Sequence, residues 1–145
     1  MLFPVCPLQR QPSFDEIASE FDDVFAVIGG AQFEQIIGYM EDRQTIPCIL
    51  EVLGRPMRQQ DILERFRKRA QRSGRYEELL GFARQYPDIQ RGVQILALGS
   101  RMMIGQSVYV PCLWGNGTTR GLKVVQIDEI EVEEGYWFLA VRLDA

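Results

Sequence analysis

The largest concentration of chemically active side chains in the sequence is the basic stretch from Arg55 to Arg75. Eight of the chain's 16 basic residues and two of its 20 acidic residues lie there, so the stretch has a charge of +6 and the rest of the chain −10. In a helix, which turns by about 100° per residue, Ile62 and Phe66 share one face and most of the basic side chains collect on the opposite face. Such a face binds phosphate or carboxylate groups. The candidate binding residues are Arg58, Arg65, Lys68, Arg69, Arg72 and Arg75.

Three kinds of partner for this basic helix follow from its charge. A nucleic acid would lie along Arg65, Arg69 and Arg72, and the short helices predicted between residues 45 and 86 would then imitate a helix-turn-helix. The charge of −10 on the rest of the chain would repel a polyanion, however. Pairing with the chain's own acids is therefore favoured, and an acidic protein partner is the other alternative. The acids available are Glu77, Glu78, those of segments 13–42 and 128–134, and those of the i,i+4 pairs Asp61–Arg65 and Glu64–Lys68.

Catalytic chemistry has few candidates because the chain has no histidine. Ser-His-Asp and Cys-His arrangements are thereby excluded, and the commonest neutral metal ligand is missing. Cys6, Cys48 and Cys112 lie 42 and 64 residues apart and form no CxxC unit. Carboxylate pairs such as Asp22–Asp23 are so numerous that each is better explained as part of a solvated acidic surface. The sequence thus predicts no catalytic residue, no metal site and no cofactor, and a small enzyme with a carboxylate site is the least favoured function.

Four aromatic residues in the C-terminal part of the chain are candidates for a second binding site. An aromatic pocket can hold a cation against its ring faces, stack on a base, or accept a peptide side chain. The alternative explanation is that these rings belong to the hydrophobic core. The four candidates are Tyr109, Trp114, Tyr136 and Trp137.

Helical periodicity and capping patterns dominate the chain up to residue 98. Ser13 and Glu16 form a capping-box pattern ahead of apolar residues at helical spacing. Gly29, Gly54 and Pro87 follow apolar runs and predict where helices end. The segment 93–98 fits a helix and a strand equally well. The predicted helices are Ser13–Ile28, Ala31–Asp42, Thr45–Gly54, Arg58–Arg75, Tyr76–Tyr86 and Asp88–Leu98.

After Gly105 the sequence changes to β-branched and aromatic residues bounded by turn residues, which is typical of strands. The turns fall at 115–117 and 133–135, so consecutive strands are expected to pair as an antiparallel meander. The predicted strands are Ser107–Leu113, Leu122–Val132 and Tyr136–Leu143.

These elements predict an α+β fold in a single domain that spans residues 1–145. The helical N-terminal two thirds of the chain would pack on a C-terminal antiparallel sheet of three to four strands, or on a small barrel. Three prolines in the first twelve residues favour an extended arm. The expected parts are an extended arm over 1–12, a mainly helical region over 13–98 and an antiparallel β segment over 105–143.

The expected function is that of a non-catalytic intracellular binding or interaction module that self-associates. A homodimer through the sheet or the N-terminal arm is the expected assembly, since symmetric pairs are the commonest soluble oligomers. Neither a signal peptide nor a membrane-spanning segment is predicted, and three separated cysteines fit the reducing cytoplasm. A nucleic-acid-associated regulator that uses the basic helix Arg58–Arg75 is the alternative.

Overall fold

A computed structural model describes residues 2–7, 14–25, 45–127, 132 and 135–143 of the chain. Of these residues, 43% lie in strands and 27% in helices. The helices are α1 (Phe14–Glu20), α2 (Gln59–Lys68) and α3 (Tyr76–Gln85), with a short 3-10 turn at Ile89–Arg91. The strands are β1 (Leu2–Val5), β2 (Asp23–Phe25), β3 (Ile46–Val52), β4 (Gln71–Ser73), β5 (Gln94–Leu96), β6 (Met102–Ile104), β7 (Ser107–Gly115), β8 (Arg120–Gln126) and β9 (Tyr136–Arg142).

The described strands form one mixed sheet in the order β1-β3-β9-β5-β7-β8-β2, with β4 also pairing with β9 and β6 with β7. The pairs β5–β9 and β2–β8 are parallel, and the other pairs are antiparallel. In this order β9 lies between β5 and β3, and β3 comes from a distant part of the sequence. This arrangement places strands from both halves of the chain in the same sheet.

Alternate residues of β9 enter two different hydrophobic clusters, because successive side chains of a strand point to opposite faces of the sheet. Leu139 packs in one cluster with residues of α1 and α3. Phe138 packs in the other cluster with Ile62 and Phe66 of α2, and the rings of Phe66 and Phe138 lie 6.3 Å apart at 68°. Helices thus cover both faces of the sheet, α1 and α3 on one side and α2 on the other.

The predicted helical N-terminal two thirds is wrong, since a nine-stranded mixed sheet includes strands from that region. The clearest case is the predicted helix Thr45–Gly54, which is strand β3 between β1 and β9. Its capping residue and proline resemble a helix start, but Cys48 pairs with Val141 and Leu50 with Leu139 across the sheet. Cross-strand packing decides the structure here and overrides the local pattern.

The predicted helix Ser13–Ile28 is also too long, because α1 ends at Glu20 and Asp23–Phe25 pair with β8 as β2. The predicted helix Ala31–Asp42 lies outside the described residues. The predicted helix at 88–98 is a 3-10 turn followed by strand β5, so the strand alternative for 93–98 is the better one.

Sequence patterns located α3, β7 and β9 correctly to within a few residues, whereas the predicted strand Leu122–Val132 is too long because β8 ends at Gln126. The predicted antiparallel pairing of β7 with β8 is confirmed. The remainder of the predicted meander is wrong, because β9 pairs with β3, β4 and β5 instead of β8. Between β8 and β9, Val132 forms an isolated bridge with Met57, with the Met57 nitrogen 3.0 Å from the Val132 oxygen. Val132 thus lies beside the residues that lead into α2, and it does not pair with β8 or β9.

Strand β1 binds the N-terminal residues to their own chain. Val5 pairs with Ile46 of β3, and the Phe3 ring meets those of Phe82 and Tyr86 edge-on at 5.5 and 5.2 Å. Gly81 makes this approach possible, since a Cβ at this position would lie 2.2 Å from the Cys6 carbonyl oxygen.

Replacing Gly81 with Ala tests this docking by the sign of the stability change. In a helix exposed to solvent, Gly→Ala raises the free energy of unfolding by about 1 kcal/mol. Against the docked backbone we expect the opposite, a loss of about 1–3 kcal/mol from overpacking, measured by urea denaturation. Gly92→Ala is the control, because a Cβ at Gly92 would have no atom within 4 Å. A stabilised Gly81→Ala variant would contradict the docked arm.

Candidate functional site

The basic stretch is not one helix. Helix α2 ends at Lys68, where its last turn holds three basic residues that favour the negative end of the helix dipole. Ala70 then has φ 55°, a left-handed conformation that reverses the chain, and β4 follows at Gln71–Ser73. The helix predicted to run on to Arg75 is therefore wrong beyond Lys68, and the six candidate residues do not share one helical face.

Arg72 points inward from β4 and pairs with Glu78 in the first turn of α3. Its two terminal nitrogens lie 2.6 and 3.0 Å from the two carboxylate oxygens, and the side chains are 19% and 3% exposed. The backbone nitrogen of Arg75, at the N-cap of α3, also donates to this carboxylate at 2.8 Å. A carboxylate with so little solvent is stable only when cations and donors surround it. Arg72 thus holds the start of α3 against the sheet, and the Arg75 backbone caps the helix.

Two further basic residues have partners close by. Arg69 donates to Glu51 of β3 at 2.7 Å, with side chains 46% and 14% exposed. Arg67 pairs with Glu64 at 2.5 Å on the exposed surface of α2. The predicted i,i+4 pairs of Asp61 with Arg65 and of Glu64 with Lys68 are not formed among the described residues. Pairing with the chain's own acids, predicted as the favoured explanation, therefore applies to Arg69 and Arg72.

An open groove of about 530 Å³ remains beside α2. Three of its basic residues, Arg55, Arg65 and Lys68, form no ion pair with another described residue. Both charge signs line the groove, and the half-buried Met57 contributes an apolar surface. The lining residues are Arg55, Met57, Asp61, Glu64, Arg65, Lys68 and Arg69. Arg58, the sixth candidate, is exposed at the N-cap of α2 and does not line the groove.

The sequence predicted Arg65, Lys68 and Arg69 of this groove but missed Arg55, Met57 and the two acids. The available signal was the spacing of Asp61, Glu64, Arg65 and Lys68, which is i, i+3, i+4 and i+7 and places all four on one helical face. From the sequence, Asp61 and Glu64 are predicted only as partners of Arg65 and Lys68 within the helix.

The four aromatic candidates lie on both faces of the sheet and do not form one pocket. Tyr109 and Trp137 pack against the cluster of α1 and α3, whereas Tyr136 packs against the cluster of α2. Trp114 lies over Gly121, where a Cβ would be 2.1 Å from its ring, and the Lys123 nitrogen is 6.0 Å from the ring centroid. Tyr109, Tyr136 and Trp137 thus pack against the hydrophobic core, as the alternative explanation predicts.

Arg120 is a half-buried residue with polar contacts that no sequence pattern indicated. Its guanidinium donates to the carbonyl oxygens of Glu20, Ala83 and Pro87 at 3.0–3.1 Å, and it lies 5.2 Å from the Phe21 ring centroid. Burial, together with the nearby charge of Arg91, lowers the pKa of Arg120. These donors satisfy carbonyls at the C-terminal ends of α1 and α3, so the role of Arg120 is structural.

The three cysteines are free thiols in the structure. Cys6 is exposed, whereas Cys48 and Cys112 are buried. Burial raises the pKa of the Cys112 thiol to about 12. A thiol with this pKa stays protonated at neutral pH, so Cys112 is a core residue and not a nucleophile. Because unfolding returns it to an ordinary pKa near 9.0, ionisation of this thiol favours the unfolded chain as the pH rises above 9.0.

The described part of the chain contains no group of three or more Cys, Asp or Glu side chains that could hold a metal ion. No helix in that part is long and apolar enough to cross a membrane. Comparisons with protein-family models, with curated proteins and with solved structures give no match in any of the three.

Replacing Arg72 with Met tests whether this residue is structural. The substitution leaves the Glu78 carboxylate buried without its nearest cation, so we expect the free energy of unfolding to fall by about 3 kcal/mol in urea denaturation. Arg67→Met, which breaks the exposed pair with Glu64, is the matched control and should cost less than about 0.5 kcal/mol. Equal losses in the two variants would show that the Arg72–Glu78 pair does not hold α3 in place.

Proposed function

We propose that this chain is a non-catalytic interaction module that self-associates as a homodimer and binds through the outer face of α2. The observation behind this proposal is the groove beside α2, where Arg55, Arg65 and Lys68 have no ion-pair partner among the described residues. Charged side chains held next to an apolar surface favour a protein partner with complementary charges.

The mixed charge of the groove favours a protein over a nucleic acid. Every phosphate of a duplex has the same negative charge, and Asp61 and Glu64 would face it together with the bases. Arg69 and Arg72, which a bound duplex would need, already pair with Glu51 and Glu78. A nucleic-acid-associated regulator is therefore the weaker alternative. A uniformly acidic protein segment meets the same repulsion, so a partner with charges of both signs fits better.

The proposal that the module is non-catalytic and cytoplasmic rests on composition and on the cysteines. The chain has no histidine, and the groove contains no cysteine or serine nucleophile. Three free thiols, one of them exposed, are typical of a reducing compartment.

Static light scattering of the full chain at micromolar concentration tests the proposed function. We expect a mass near twice 16.7 kDa, with the fraction of dimer falling as salt is added, because charge pairs at a solvated interface are screened. Fluorescence anisotropy with a labelled short DNA duplex, run in parallel at low salt, should show no binding. A monomer at all accessible concentrations would contradict the proposal, and tight, salt-sensitive DNA binding would favour the alternative.

A further inference from the structure

Four charged residues on the outer face of α2 are ordered with the acids first and the bases last. Asp61, Glu64, Arg65 and Lys68 fall within an arc of about 100°, since an α-helix has 3.6 residues per turn. The opposite side of the helix holds the buried residues Ile62 and Phe66. The charged arc therefore faces away from the core, and all four of its residues line the groove.

This order makes the helix face complementary to itself. When two copies of α2 pack antiparallel about a two-fold axis between positions 64 and 65, Asp61 of one copy lies opposite Lys68 of the second. Glu64 then lies opposite Arg65, and the symmetry repeats both contacts. A parallel pair would instead place like charges together, which is destabilising. Charge order alone thus selects the antiparallel arrangement.

Internal partners compete only weakly for these four residues. Asp61, Arg65 and Lys68 form no ion pair with another described residue. Glu64 pairs with Arg67, whose side chain is 77% exposed, and an exposed i,i+3 pair stabilises a helix by only a few tenths of a kcal/mol. A second helix would exclude water from the face and strengthen the intermolecular pairs.

We propose that α2 packs antiparallel against α2 of a second copy of this chain, with Asp61–Lys68 and Glu64–Arg65 pairs between the copies. This inference rests on the proposed self-association and specifies its surface. The half-buried Met57, which also lines the groove, gives the interface an apolar margin. Residues 2–5 of the N-terminal arm, by contrast, pair with β3 of their own chain.

Two charge-reversed variants test the inference. Arg65→Glu with Lys68→Glu makes the whole face acidic, and Asp61→Lys with Glu64→Lys makes it basic. Each variant alone should repel itself, with a dimer dissociation constant at least tenfold higher than that of the unmodified chain. An equimolar mixture should recover the dimer mass in light scattering, because the acidic face then meets the basic one. Recovery on mixing also shows that both variants are folded.

A matched control changes the same amount of charge elsewhere. Arg84→Glu with Arg91→Glu alters two basic residues outside the groove and should leave the dimer intact. If the unmodified chain is a dimer and either α2 variant keeps its affinity, or if mixing restores nothing, α2 is not the interface although self-association stands. If the unmodified chain is a monomer, the proposed function fails with it. Dissociation of the control variant would also overturn the assignment, since net charge would then explain the effect.

Discussion

The buried carboxylate of Glu78 is the constraint on which the arrangement of the basic stretch depends. It is 3% exposed at the start of α3, and the two nitrogens of Arg72 bind both of its oxygens. To deliver Arg72 there, the chain must leave α2 after Lys68, reverse at Ala70 with φ 55°, and run along β9 as β4. The pair thus links α3 to the sheet. It also leaves Arg72 only partly exposed, although Arg69 before the turn stays on the surface.

The part of the basic stretch that stays on the surface as a helix is α2, and the charge on its exposed face differs from that of the whole stretch. Its inner side packs Phe66 on Phe138, and its outer side presents two acids followed by two bases. A uniformly basic face would favour phosphate, whereas this face favours a partner with charges of both signs. Among such partners a second copy is the simplest, because the order Asp61 to Lys68 is complementary to itself across a two-fold axis.

The sequence predicts elements where local and long-range preferences agree. Helix α3 begins at Tyr76 as its apolar periodicity indicates, and Tyr136 begins a strand because an alternating, β-rich run follows it. The helix predicted over Thr45–Gly54 is instead strand β3, because its neighbours in the sheet, β1 and β9, come from distant parts of the chain and leave no local pattern. The same limit applies to Arg72, whose partner depends on where the helix stops. The two acids of the groove, Asp61 and Glu64, in contrast, can be recognised from their helical spacing. The sequence predicts them only as partners of Arg65 and Lys68 in the same helix.

The most direct test of the α2–α2 contact is a distance between two copies measured by pulsed electron paramagnetic resonance. A nitroxide on Gln60→Cys, in a Cys6→Ser background, labels an exposed residue of α2 outside the pairing positions. With a rise of 1.5 Å per residue and helix axes about 10 Å apart, a two-fold axis between positions 64 and 65 places residue 60 of the two copies about 17 Å apart, so we expect one nitroxide distance below about 30 Å. Distances beyond about 40 Å, or no dipolar coupling where light scattering shows a dimer, would contradict the account.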